Sequence, residues 1–232
     1  MKVAIMQPYF LPYIGYFQLI ESVDLFIVYD NVKYTKKGWI NRNRMLCNGS
    51  ELCFSLPLRN APDASDIGAR RLAADFDGSN LLNRMREMYR KAPCFESAFP
   101  CIKSMLENAD DNLFRFVHQS IIAVCEYLGI ETRFVISSEV AIDHGLKGQD
   151  KVIALCREVG ATTYVNPVGG MELYSRDHFA SHGLQLTFLQ PRPFVYTQFG
   201  QPFVPWLSIL DVMMFNDVST IRRCLELNFD LV

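Results

Sequence analysis

The densest chemical signal in the sequence lies in residues 30–44. Lys33, Lys36, Lys37, Arg42 and Arg44 set five cations against one carboxylate, Asp30. Arg42 and Arg44 suit phosphate or carboxylate, because a guanidinium offers paired N–H donors in a fixed plane. Read as a strand, residues 39–44 alternate between two faces, with Trp39, Asn41 and Asn43 on one and Arg42 and Arg44 on the other. Trp39 would then stack on a sugar or base, and the amides of Asn41 and Asn43 would hold hydroxyls. Tyr34 belongs to the same candidate binding set. The competing reading is a solvated hairpin with no ligand.

A second signal is the loop of residues 7–16, which passes from a polar turn at Gln7 into a helix carrying Gly15 in its first turn. Helix N-termini attract anions through free N–H groups and the helix dipole. Gln7, Tyr13 and Tyr16 are the candidate ligand contacts. Residues 13–16 (YIGY) resemble the His-x-Gly-His signature of the nucleotidyltransferase and class I synthetase superfamily. Both histidines are tyrosines here, which donate hydrogen bonds but are not cations at neutral pH. That departure counts against adenylyl transfer. The alternative is an aromatic turn that fills the core.

Further along, Asn166 is followed by Gly169 and Gly170, and a glycine pair after a strand lets a ligand approach the backbone. His144 would be a base if it faced the site. Asp150 reads as the N-cap of a helix. His178 and His182 are spaced to share a helix face, but no third ligand lies nearby, so no metal site is expected. Ser208 and Asp211 fit a variant of the capping box, a structural role.

These residues need elements to position them. Residues 2–6 and 25–29 are apolar without alternation, as strands covered on both faces are. Residues 13–22 form a helix between them. Asn48-Gly49 between two β-compatible runs, 39–47 and 51–56, predicts a hairpin. Residues 59–79 read as a loop with one further strand. Residues 80–91 and 111–129 are amphipathic helices, the second ended by Gly129. Strands at 132–136, 162–165 and 184–189 then alternate with helices at 150–159 and 175–181, and two helices follow at 206–215 and 219–227. This pattern predicts an α/β fold: a parallel open sheet of Rossmann-like (nucleotidyltransferase- or HUP-like) topology. One domain spans 1–232, with a hairpin and helical insertion at about 38–130, so both ends of the chain supply the sheet.

Composition removes several classes. Half of the 232 residues are apolar and the formal net charge is −2, which excludes intrinsic disorder and a globally basic DNA-coating protein. Seven cysteines without a C-x-x-C pair read as reduced thiols. Prolines and polar residues interrupt both long uncharged stretches, and no signal-peptide pattern opens the chain. A cytoplasmic protein that does not enter membranes is expected.

Over nearly its whole length the chain resembles the WbqC-like family of bacterial proteins. The residues that carry the resemblance are 6–20 (MQPYFLPYIGYFQLI), 38–44 (GWINRNR), 148–150 (GQD), 164–166 (YVN), Gly169-Gly170 with Leu173-Tyr174, and 207–211 (LSILD). The resemblance implies a role in gene clusters for O-antigen and other surface polysaccharides. The implied reaction moves a glycyl or related acyl group onto the amine of a nucleotide-linked amino sugar. Arg42, Arg44 and Lys37 would then hold a diphosphate, Trp39 would stack, and Asn41 and Asn43 would orient the sugar. Asp30, and after it His144, would be the base that amide formation needs. The acyl donor would be an aminoacyl-tRNA, an acyl-CoA or an ATP-derived adenylate. Two other functions stand beside this one: a nucleotidyltransferase-like, ATP-using enzyme on another small substrate, and a non-catalytic nucleotide-sugar binding module.

Overall fold

Two apolar runs seed the sheet. β1 (Lys2–Met6) and β2 (Leu25–Val28) pair in parallel from Val3↔Leu25 to Met6↔Val28, joined by α1 (Ile14–Glu21). The structure, a computed structural model, describes residues 1–200 and 202–232. The antiparallel hairpin β3 (Arg42–Cys47) and β4 (Ser50–Ser55) follows. Asn48 and Gly49 both turn with positive φ, 49° and 76°, the conformation that an Asn-Gly turn predicts. Three helices come next: α2 (Gly78–Tyr89), α3 (Phe95–Leu106) and α4 (Leu113–Leu128). The Asn112 side chain caps the start of α4, and Gly129 ends it in the left-handed region at φ 68°.

The chain then returns to the sheet with β5 (Arg133–Ile136), α5 (Gly148–Glu158), β6 (Thr163–Pro167), α6 (Arg176–Ser181) and β7 (Gln185–Pro191). It ends with α7 (Ile209–Phe215), α8 (Val218–Leu227) and β8 (Phe229–Leu231). The six-stranded order is β5-β2-β1-β6-β7-β8, parallel except for the edge strand β8. With the separate hairpin set aside, this is the 3-2-1-4-5-6 order of a Rossmann-like α/β fold.

Strand alternation divides the core. Val3, Ile5, Leu25 and Ile27 face one cluster with Val152 and Leu155 of α5 and Phe179 of α6. Ala4, Phe26 and Val28 face the other with Phe17 and Ile20 of α1, Ile121 of α4 and Ile221 of α8. Covering both faces explains why the runs show no alternation in sequence. Among the described residues, no helix is long and apolar enough to cross a membrane.

Several local expectations are corrected. Residues 59–79 hold a short 3₁₀ turn (Ile67–Ala69) and isolated bridges such as Leu58↔Leu72, with no further named strand among the described residues. Helix α3 was not expected, because Pro100 lies inside it and an internal proline removes a helix donor. β8 was also missed; three residues are too few to display a period. Helix α5 starts at Gly148, so Asp150 lies in its first turn and bonds His178 Nε2 at 3.0 Å instead of capping. Ser208 does cap α7, but Asp211 turns away from it to Tyr89, Tyr196 and Gln198, so the capping box is half formed.

Candidate functional site

β1 and β6 pair over only two positions, Lys2↔Thr163 and Val3↔Tyr164. Beyond these they part, β1 continuing beside β2 and β6 beside β7. In an open α/β sheet this divergence is the topological switch point, where ligands bind beyond the carboxyl ends of the strands. A cavity of about 870 Å³ opens there.

Gln7 closes β1, and its side chain enters the cavity wall with no hydrogen-bond partner among the described residues. On the β6 side stand Asn166, Gly169 and Gly170. Asn166 is nearly buried; its Oδ1 accepts from the Tyr164 hydroxyl at 3.0 Å and its Nδ2 donates to the Pro167 carbonyl at 3.1 Å. A Cβ on Gly170 would stand 2.1 Å from that Nδ2, so any larger residue there would have to displace the amide. Gly169 faces open space.

The opposite wall is cationic. Lys33, Lys147 and Lys151 line it, with Asp66 as the one lining carboxylate among the described residues. Lys33 and Lys147 have no ion pair or side-chain hydrogen bond among the described residues. The first turn of α5 also opens here, and Lys147 at its N-cap supplies no side-chain cap. Free N–H groups and the helix dipole add to the positive potential.

Lys151 is 94% covered, and its Nζ donates to the carbonyl oxygen and to Oδ1 of Asn31, each at 3.1 Å. Burial lowers its pKa, while the charges of Asp66 and Asp30 oppose the shift. An ammonium only donates, so it fixes Oδ1 of Asn31 as the acceptor. Asn31 Nδ2 must then donate to His144 Nδ1, 2.9 Å away. His144 Nε2 faces the Val140 carbonyl at 3.0 Å and carries the proton. In this arrangement the Nδ1 lone pair of His144 is already engaged, so that nitrogen is open to a proton only once Asn31 releases it.

The sequence candidates fall into three groups. Gln7, His144, Asn166, Gly169 and Gly170 line the crevice. Tyr13, Trp39, Asn43 and Arg44 line a second, smaller cavity. Asp30, Tyr16, Tyr34, Lys37, Asn41 and Arg42 line neither. Asp30 Oδ1 accepts from Ser137 Oγ and the Ser138 amide, tying β2 to the segment after β5. Tyr16 is buried, with its hydroxyl on the Gln7 carbonyl at 2.9 Å. Tyr34 bonds Asn41, which also donates to the Leu56 carbonyl.

The expected division of faces in residues 39–44 is also corrected. The strand begins only at Arg42, and the preceding turn folds Trp39 back beneath both arginines, 5.4 Å from Arg42 and 5.1 Å from Arg44. Asn43 donates to the carbonyls of Phe10 and Leu11, so it clamps the first loop. Arg42 donates to the carbonyls of Gly38 and Lys37, and Arg44 to Glu51 and the Trp206 carbonyl. Sequence reading counted Lys33 among the cations of residues 30–44 without giving it a site role, and missed Asn31, Asp66, Lys147 and Lys151. Lys147 and Lys151, four apart across Gly148, are the one pair whose spacing could have drawn notice.

Fold and crevice together define a Rossmann-like α/β protein with a lysine-lined site at the switch point of its sheet. The chain belongs to the WbqC-like protein family, whose profile matches residues 7–223. It is 30% identical over 218 residues to an uncharacterized protein of Mycobacterium tuberculosis, covering 93% of each chain. No solved structure matches it.

Proposed function

We propose that this protein is a transferase of bacterial surface-polysaccharide (O-antigen) biosynthesis, which acylates the amine of a nucleotide-linked amino sugar with a glycyl or related group. The observation that carries the reading is the crevice at the switch point, with Lys33, Lys147, Lys151 and the open first turn of α5 on one wall. Such a wall suits a diphosphate, and Gln7 and Asn166 opposite offer amide groups to a sugar. In the reaction the sugar amine attacks the activated acyl carbonyl. An N–C bond forms, the bond to the donor's leaving group breaks, and the amine loses a proton. His144 is the titratable imidazole on the crevice wall and accepts that proton only once Asn31 has moved off Nδ1.

The test is a thermal-shift series followed by mass spectrometry. Stabilisation by a dTDP- or UDP-amino sugar, lost in Lys151→Met, and an amide product with an activated acyl donor are the expected results. Stabilisation by ATP–Mg²⁺ alone would instead favour a nucleotidyltransferase-like enzyme. Binding of the sugar nucleotide without product under any donor would reduce the protein to a binding module.

A further inference from the structure

A second cavity of about 270 Å³ adjoins the crevice, with Tyr9 lining both. Its other walls are Pro12, Tyr13, Trp39, Asn43, Arg44 and Trp206. The sequence contains two tryptophans, and both are in this wall. They are exposed at 38% and 59%, large values for indoles. Tyr13 meets Trp206 edge-on with centroids 6.0 Å apart.

Arg44 holds the two tryptophans in place. Its guanidinium stands 5.1 Å from the centre of the Trp39 ring, and its Nη2 donates to the Trp206 carbonyl at 3.1 Å. Trp206 has φ +59°, a left-handed backbone that a bulky residue adopts only when its surroundings impose it. Arg42 lies 5.4 Å from the same Trp39 ring, with Nη1 free of any protein partner among the described residues.

The polar groups of the wall discriminate between ligand classes. A sugar ring presents many hydroxyls, which need acceptors as well as donors. Asn43 is the one amide in the wall among the described residues, and its Nδ2 and Oδ1 are both bonded to the protein backbone. No carboxylate among the described residues lines the cavity. What remains is aromatic faces, two tyrosine hydroxyls and the Arg44 guanidinium, which is paired with Glu51, while Arg42 stands outside the lining on the same Trp39 ring. That combination suits a flat base to stack on and a phosphate to neutralise.

We propose that this cavity binds the nucleobase of a second, phosphate-bearing substrate, stacked among Trp39, Trp206 and Tyr13 with its phosphate toward Arg42. The cavity itself is argued from geometry alone. Its use by the acyl donor, opposite a sugar nucleotide in the crevice, rests on the function proposed above.

Both tryptophans line this cavity, Trp206 also the wall of a neighbouring one, so intrinsic fluorescence responds to a ligand here. AMP and UMP should quench the emission saturably, whereas ribose 5-phosphate and methyl glucoside should not. Trp206→Gly removes the ring, tolerates the positive φ, and leaves Trp39 as reporter of both binding and folding. It should weaken AMP about tenfold, the loss of one stacking face. Lys151→Met, confined to the crevice, should leave AMP quenching unchanged. Quenching by coenzyme A or by a short oligoribonucleotide would identify the source of the base, and either supports the proposal. Quenching by methyl glucoside, no response to any nucleotide, or full AMP affinity in a folded Trp206→Gly variant would overturn it. If AMP quenches but no sugar nucleotide stabilises the chain, the crevice reading fails and this one stands. The reverse result removes only this one.

Discussion

Lys151 sets the orientation of Asn31: its ammonium lies 3.1 Å from both the carbonyl oxygen and Oδ1 of that residue. The amide in turn fixes the tautomer of His144. Lys151→Met should therefore abolish the thermal shift given by a nucleotide sugar. It should also allow both neutral tautomers of His144, visible as altered ring-nitrogen shifts by NMR. A single Nε2–H tautomer in the variant would refute the relay.

The same lysine gives a pH dependence. Burial lowers its pKa in the folded chain below the ordinary 10.5. Between the lowered value and 10.5 the unfolded chain holds more protons than the folded one. Stability then rises with pH across that window, and the contribution is complete above 10.5. Denaturation midpoints of the wild type should move upward relative to Lys151→Met as pH climbs toward 10.5. A constant difference between the two proteins would contradict the assignment.

Gly170 and Asn166 leave no room for a methyl group between them. Gly170→Ala should push the Asn166 amide away from Tyr164 and Pro167 and into the crevice. The expected result is a folded protein with nucleotide-sugar affinity reduced about tenfold or more, by loss of about 1.4 kcal/mol. Isothermal calorimetry checks it; unchanged affinity would show that the amide is not part of the site.

Asp211 is fully buried and accepts hydrogen bonds from Tyr89, Tyr196 and Gln198 at 2.7–2.8 Å. Burial raises its pKa, and the three donors pull the other way. Asp211→Ala leaves the Tyr89 and Tyr196 hydroxyls without this acceptor, and Gln198 with the Val204 carbonyl alone, at a cost of about 3 kcal/mol. Urea denaturation should show that loss, and a change below about 1 kcal/mol would mean that water replaces the carboxylate.

Asn43 holds Leu11, whose φ is +44°, through a 2.7 Å bond to its carbonyl, which Ser208 Oγ also reaches at 2.7 Å. Asn43→Ala should cost about 2 kcal/mol. Asn43→Asp should cost more, because a carboxylate would face two carbonyl oxygens. Equal stability of the two variants in chemical denaturation would rule out the clamp.

Strands β1 and β2 were legible because burial on both faces removes polar alternation. The Asn-Gly turn was legible because its backbone demands those residue types. Gln7 was found as the polar turn that leads into a helix, and Asn166 with the glycine pair as a motif that follows a strand. Lys151 was not, because one lysine on an amphipathic helix looks like any solvated cation until the sheet brings Asn31 beneath it. Asn43 misled for the opposite reason: its amide looked free for a ligand, yet the first loop had two carbonyls to satisfy.

The sequence alone determined the alternating α/β order and the Asn48-Gly49 turn, since these depend on periodicity and turn chemistry within a few residues. The tertiary structure decided which polar groups are free and which are engaged. Hydrogen-bond partners such as Lys151 and Asn31 lie 120 residues apart, and only the packed sheet brings them within 3.1 Å.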